Sequence, residues 1–143
     1  MLRGLPSLLS PDLLFVLRSM GHGDEIVIVD ANFPADSNSE VLVRLDGLPA
    51  TEVLEAILQV MPLDTYDPTP ALTMEVVGDP DNIPPVVASF QEIINRVADT
   101  PAAVSPLERF AFYDRAKKAF AIVQTGETRL YGNLILKKGV VAQ

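Results

Sequence analysis

The residues best suited to chemistry cluster early in the chain. Gly21-His22-Gly23-Asp24-Glu25 runs into Ile26-Val27-Ile28-Val29-Asp30, so the only histidine stands at one end of a short apolar run and a carboxylate at the other. An imidazole, with a reference pKa of about 6.5, can give or take a proton near neutrality. Flanking glycines let backbone and ligand approach it closely. The competing reading is a histidine stabilised by the dipole at a helix C-terminus. Asp30 ends a run that reads as a strand, and ligands of open α/β sheets gather outside the carboxyl ends of strands. Alternatively it caps a turn.

Further along, Arg109 and Tyr113 lie four apart in a helical segment, which puts both on one face. A guanidinium beside a phenol can orient a hydroxylated ligand; the plainer reading is an arginine snorkelling past a half-packed tyrosine. Tyr131-Gly132-Asn133 precedes the last apolar run. The glycine permits a tight bend, and the Asn133 amide both donates and accepts hydrogen bonds; an ordinary turn would look the same. Asp64 and Asp67 fall in a proline-rich loop and by themselves read as solvated. No phosphate loop, dinucleotide fingerprint or nucleophile elbow is present. What remains is one histidine, acids, an arginine, two tyrosines and an asparagine, a set fitted to moving protons on a neutral, hydroxyl-rich ligand.

Composition narrows the classes. The 143 residues, 48% of them apolar, suffice for one domain with a sizeable core. The mean hydropathy of +0.25 is high for a small chain, so part of the apolar surface is expected between subunits. With no cysteine and one histidine, neither a disulfide frame nor a thiolate or histidine-rich metal site is expected. A net charge of −8, with 11 basic against 19 acidic residues, argues against a nucleic-acid partner. No run of about 18 apolar residues predicts a membrane span, and Met1-Leu2-Arg3-Gly4-Leu5-Pro6 lacks the pattern of a secretory signal. A cytoplasmic protein is expected.

The elements that must position these residues alternate. Ser10-Pro11-Asp12 opens a helix, with Leu13, Leu14, Leu17 and Met20 at helical spacing and Gly21 as a left-handed stop. Residues 26–29 form a β-branched run without alternation, hence a strand covered on both faces. A loop follows over 30–36, a weaker strand over 41–45, a helix over 51–61 and a strand over 72–77. Pro84 or Pro85 opens a third helix, 99–106 is a loop, and 108–118 is a helix aided by an Asp114–Lys118 pair. Strands are expected over 119–124 and 134–137, with a loop between them. Helices interleaved with apolar strands make an α/β layered domain, single over residues 1–143.

Several blocks together resemble the ribose pyranase/fucose mutarotase family, on its fucose mutarotase side. In the N-terminal half these are Gly21-His22-Gly23-Asp24-Glu25, Asp30-Ala31-Asn32-Phe33-Pro34 and Arg44-Leu45-Asp46-Gly47-Leu48. In the C-terminal half they are Arg109-Phe110-Ala111-Phe112-Tyr113, Lys118-Ala119-Phe120-Ala121-Ile122-Val123, Thr125-Gly126-Glu127 and Tyr131 through Val140.

The resemblance implies helices packed around a mixed sheet, and a ring-shaped homo-oligomer, typically a decamer with active sites at subunit interfaces. It implies no metal and no cofactor. It makes His22 a proton donor and Tyr113 a second acid–base candidate. Asp30, Asp64, Arg109, Tyr131 and Asn133 become contacts to a monosaccharide, L-fucose foremost, with Gly132 between the last two. The expected activity is α/β anomer exchange through opening and closing of the hemiacetal ring. The alternatives are a D-ribose pyranase or broad aldose mutarotase, and a non-catalytic monosaccharide-binding protein.

Overall fold

The computed structural model describes residues 1–143. The chain runs α1 (Pro11–Ser19), β1 (Glu25–Val29), α2 (Ala35–Asn38), β2 (Leu42–Leu45), α3 (Ala50–Leu58), β3 (Ala71–Met74), α4 (Pro85–Val97), β4 (Ser105–Leu107), α5 (Arg109–Lys118), β5 (Ala121–Thr125) and β6 (Leu134–Lys137). The six strands form one mixed sheet in the order β2-β5-β1-β6-β3-β4. β1 pairs in parallel with β5, β5 with β2, and β3 with β4, while β6 runs antiparallel to both β1 and β3. Five strands therefore point one way and only β6 is reversed.

That topology sets up two rims. One rim collects the carboxyl ends of β1, β3, β4 and β5 with the amino end of β6. The opposite rim collects the residues that lead into β1 and β3 and those that leave β6.

β1 lies at the centre, and its apolar side chains alternate between two cores as strand geometry requires. Ile26 and Ile28 join Leu13, Leu54, Phe90 and Ile94 on the face covered by α1, α3 and α4. Val27 and Val29 join Phe33, Leu72, Phe112, Ile122 and Ile135 on the face covered by α5 and α2. All four apolar residues of β1, Ile26 to Val29, are fully buried, so the doubly covered strand expected from its unbroken apolar run is present. No helix is long and apolar enough to cross a membrane.

The Ser10 hydroxyl caps α1 by accepting the Leu13 N–H at 3.2 Å, with Pro11 in the first turn. Several expectations need correction. α1 leaves through an extended Met20, and the left-handed residue is Gly23 at φ 87°, not Gly21. α3 stops at Leu58, three residues before Met61, and its last turn is closed by bonds from Val60 and Met61 to the Ile57 carbonyl. The 30–36 loop already contains the start of the one-turn α2. The 99–106 loop hides the start of β4, a three-residue edge strand; Pro106 is tolerated there because an edge strand can spare an N–H. The ion pair that anchors α5 joins Arg115 to Glu25 at 3.0 Å, across 90 residues, rather than Asp114 to Lys118.

Candidate functional site

At the rim of strand carboxyl ends, Asp30 follows β1 and Asn133 precedes β6. Because those strands are antiparallel neighbours, the two side chains meet. The Asp30 N–H donates to Asn133 Oδ1 at 2.9 Å, and Asn133 Nδ2 donates back to Asp30 Oδ2 at 3.1 Å. Asp30 Oδ1 accepts the Asn32 N–H at 3.0 Å. Both side chains are buried. Burial pushes the Asp30 carboxyl above its ordinary value, although the bonds from Asn32, Asn133, Phe33 and Gly132 pull the other way.

Around this pair lies a cleft of about 270 Å³ lined by Asp30, Asn32, Met74, Val77, Arg109, Tyr113, Leu130, Tyr131 and Asn133. Arg109 and Tyr113 do share a face of α5, whose N-terminus is capped by the Glu108 carboxylate. The guanidinium carbon stands 5.6 Å from the Tyr113 ring centroid, and the ring also packs on Phe33 at 5.2 Å. Tyr131 enters from the other side and accepts the Val77 N–H on its hydroxyl oxygen at 3.1 Å, so its own hydroxyl proton is free for a ligand.

The Tyr131-Gly132-Asn133 turn is not ordinary. Tyr131 itself takes the left-handed backbone, at φ 65°. Gly132 is required for close approach instead: a Cβ there would lie 2.7 Å from Glu127 Cγ and 3.4 Å from Asp30 Cβ. Glu127 is buried beneath this turn and bound by Arg129 through two bonds, at 2.9 and 3.0 Å. Those bonds hold its carboxyl below the usual value. The Ala31 N–H donates to the Glu127 carbonyl at 2.8 Å, and Gln124 Nε2 to the Asp30 carbonyl at 2.7 Å, so the floor of the cleft is tied from behind.

The opposite rim carries a second polar group. His22 Nε2 lies 3.0 Å from Asp64 Oδ1, and the imidazole packs against Tyr66 at 5.2 Å. Asp64 is buried, and its oxygens also accept the Tyr66 N–H at 3.3 Å and the Asp67 N–H at 3.1 Å. Burial pushes the Asp64 carboxyl up, but the His22 bond and those two amides more than reverse this, and it rests below its ordinary value. An ionised carboxylate only accepts, so it fixes the imidazole proton on Nε2 and leaves Nδ1 free. Asp67, expected to be solvated, is instead bound to Lys137 and to the Thr69 N–H, which hold it down at about 2.

A backbone ladder sets the register of this group. The Gly23 N–H donates to the Lys138 carbonyl, the Asp64 N–H to that of Lys137, and the Gly139 N–H to that of Pro62, at 2.8–3.0 Å. The end of β6 thus clamps the His22 loop to the Asp64 loop. A Cβ at Gly139 would fall 2.7 Å from the Leu63 carbonyl oxygen, which leaves room for glycine only.

The structure therefore gathers Asp30, Arg109, Tyr113, Tyr131, Gly132 and Asn133 at one rim, and His22 with Asp64 at the other. Within one chain it does not bring His22 and Tyr113 to a common cleft. The Asp64 oxygens meet His22 Nε2 and the Tyr66 and Asp67 amides within the chain, so Asp64 orients His22. Sequence reading did not single out Asn32, Met74, Val77, Leu130 or Tyr66. Asn32 sits two residues after Asp30, at Asx-turn spacing, which is a usable signal. For Val77 and Leu130 no local pattern marks a cleft residue. A larger concavity of about 500 Å³ is lined by Met1–Leu14 residues, carries no ionisable side chain and offers no chemistry. No cluster of three or more His, Asp or Glu side chains is arranged to hold a metal ion.

Comparison with known proteins gives concordant likenesses. Residues 3–141 match the RbsD / FucU transport protein family. The chain is 53% identical over 147 residues to the fucose mutarotase of Bos taurus, covering 99% of this chain and 95% of that one. Its fold superposes on the crystal structure of the fucose mutarotase in complex with L-fucose from Streptococcus pneumoniae with a TM-score of 0.92 at 47% identity, over 99% of this chain and all of the other. The structure of Bacillus subtilis RbsD complexed with D-ribose, at 20% identity and a TM-score of 0.76 over 99% of this chain and all of that one, shares the fold.

Proposed function

The chain belongs to the RbsD / FucU transport protein family, and we propose that it is an isomerase interconverting the α and β anomers of L-fucose, acting as one domain over residues 1–143. The observation that carries this reading is the cleft beside the Asp30–Asn133 pair, where a guanidinium, two phenols, two amides and a carboxylate converge without a nucleophile. Support for the sugar comes from the 53% identical fucose mutarotase and from the L-fucose complex of a 47% identical chain.

Mutarotation needs a proton removed from the anomeric hydroxyl and one delivered to the ring oxygen. As O1–H loses its proton, the C1–O1 bond becomes a carbonyl, the C1–O5 bond breaks and O5 is protonated. The aldehyde turns about C1–C2, and ring closure on the other face reverses both transfers. No covalent intermediate forms. Each positioned proton carrier contributes roughly 10²–10⁴-fold. Tyr113 is one carrier. His22 is the other, its Nε2–H held by Asp64 so that Nδ1 exchanges the proton. Asp30, Arg109, Tyr131 and Asn133 grip the distal hydroxyls, partly through charge-assisted bonds, with Gly132 allowing the turn between the last two.

In this reading a second copy of the chain supplies His22. The site is completed between subunits of a homo-oligomer, with a decamer as the expected size. Exposed Phe15, Val60, Tyr66 and Val141 offer apolar surface for such association. A cytoplasmic setting goes with it, tested by cell fractionation.

Saturation-transfer NMR on L-fucose, D-galactose and D-ribose tests the function. Exchange between anomers should rise with protein concentration, most strongly for L-fucose, and fall at least 100-fold in Tyr113→Phe. Saturable sugar binding without exchange would instead support a carrier or sensor, and a preference for D-ribose would support a pyranase.

A further inference from the structure

We propose that Met74, Val77 and Leu130 form the wall that receives the methyl group on C5 of the sugar, so that the cleft selects a 6-deoxyhexose over the matching hexose and pentose. This rests on the monosaccharide reading above and names the part of the cleft that the proton chemistry does not use.

The cleft residues divide by chemistry. Asp30, Asn32, Arg109 and Asn133 present polar groups, whereas Met74, Val77 and Leu130 present only apolar ones. Met74 is buried at the end of β3 and belongs to the core beneath α5. Val77 and Leu130 are exposed, at 61% and 67%, although they are branched aliphatic residues. Single exposed aliphatics are common and need no explanation. Here two line one cleft together with the buried Met74 that ends β3.

The backbone that carries the Val77 side chain is tied to the facing loop. The Val77 N–H donates to the Tyr131 hydroxyl, which ties the chain after β3 to the loop before β6. Leu130 directly precedes Tyr131, whose left-handed backbone sets the course of that loop. The cleft thus offers hydrogen-bonding groups and, beside them, an apolar surface made by Met74, Val77 and Leu130. A polar ring with one apolar substituent matches that division. A hydroxymethyl in the same position would leave its hydroxyl without a partner on this wall, and a bare hydrogen would leave the wall wet.

Three sugars isolate the group. L-fucose, L-galactose and D-arabinose in their pyranose forms share the ring hydroxyl configuration and carry methyl, hydroxymethyl and hydrogen on C5. Anomer exchange is measured for each with the whole protein and with Val77→Thr and Leu130→Ala, two surface changes that spare the core. In the unaltered protein kcat/KM for L-fucose should exceed that for D-arabinose about ten-fold or more. Each variant should lower kcat/KM for L-fucose by about five-fold and leave D-arabinose within about two-fold.

Saturation-transfer difference spectra provide a readout independent of turnover. The methyl protons of L-fucose should be the most strongly saturated signal, and should lose that rank in Val77→Thr. Equal losses for L-fucose and D-arabinose, or none for either, would overturn the wall. A saturated methyl without anomer exchange would uphold the wall and overturn the mutarotase reading. Exchange of L-fucose with a weakly saturated methyl would do the reverse.

Discussion

His22 and Asp30 stand off opposite ends of the same strand, separated by Gly23, Asp24 and the five residues of β1, which alone span about 16 Å of extended chain. His22 is held there by Asp64 and Asp30 by Asn133, so neither loop can swing toward the other without breaking a hydrogen bond to a buried partner. A site that uses both needs a second copy of the chain.

Complementation tests that geometry. His22→Ala and Tyr113→Phe should each lose exchange by roughly 10²–10⁴-fold. Co-expressed with different tags and purified as mixed oligomers, they should regain activity in up to about one quarter of the sites, those that pair an intact imidazole with an intact phenol. Recovery absent from oligomers shown to be mixed would place both groups in one chain.

Asn133→Ala should damage both stability and turnover. It strips partners from the buried Asp30 carboxylate and from the Asp30 N–H, at a cost of about 1–3 kcal/mol. Urea unfolding at pH 7 measures the first effect and anomer exchange the second.

The Asp30 carboxyl is raised in the folded chain by burial. Between the ordinary carboxylate value and that raised value the folded state holds more protons than the unfolded, so this group's contribution to stability falls as pH rises through the window. Asp30→Asn should therefore gain stability relative to the unaltered protein at neutral pH and lose the gain in acid. Thermal melts from pH 3 to 7 should show the two curves converging on the acid side.

Asp67 gives the opposite sign. Lys137 and the Thr69 amide lower it from 3.8 to about 2, so its contribution is present above the ordinary value and disappears as pH falls from about 4 toward 2. Asp67→Asn should cost about 2 kcal/mol at pH 7, and less at each step down in pH, by chemical denaturation.

Two glycines should separate binding from turnover. In Gly132→Ala the new Cβ meets Glu127, which Arg129 pins, so the turn carrying Tyr131 and Asn133 must shift. KM should rise about ten-fold or more. In Gly139→Ala the clash is with the Leu63–Asp64 backbone that positions His22; kcat should fall by a similar factor while KM changes less.

Local pattern made the framework legible. The cap and apolar spacing of α1, the stripe of α4 and the unbroken run of β1 are signals carried within a dozen residues, and each element is present. The same holds for Arg109 and Tyr113, because an i,i+4 spacing fixes a shared helix face. β4 was hidden because Ser105-Pro106-Leu107 becomes a strand only through the β3 edge beside it.

The sequence by itself determined which groups could move protons, His22 and Tyr113, and which could grip a hydroxylated ligand, Asp30 and Arg109, since each is recognisable from side-chain chemistry and local spacing. Only the tertiary structure decided how they are divided. The reversal of β6 carries Asn133 to Asp30 across 103 residues and carries Lys137 and Gly139 to the His22 and Asp64 loops at the other rim. Such pairings depend on strand order and direction, and these follow from how the whole chain buries its apolar faces rather than from any one segment.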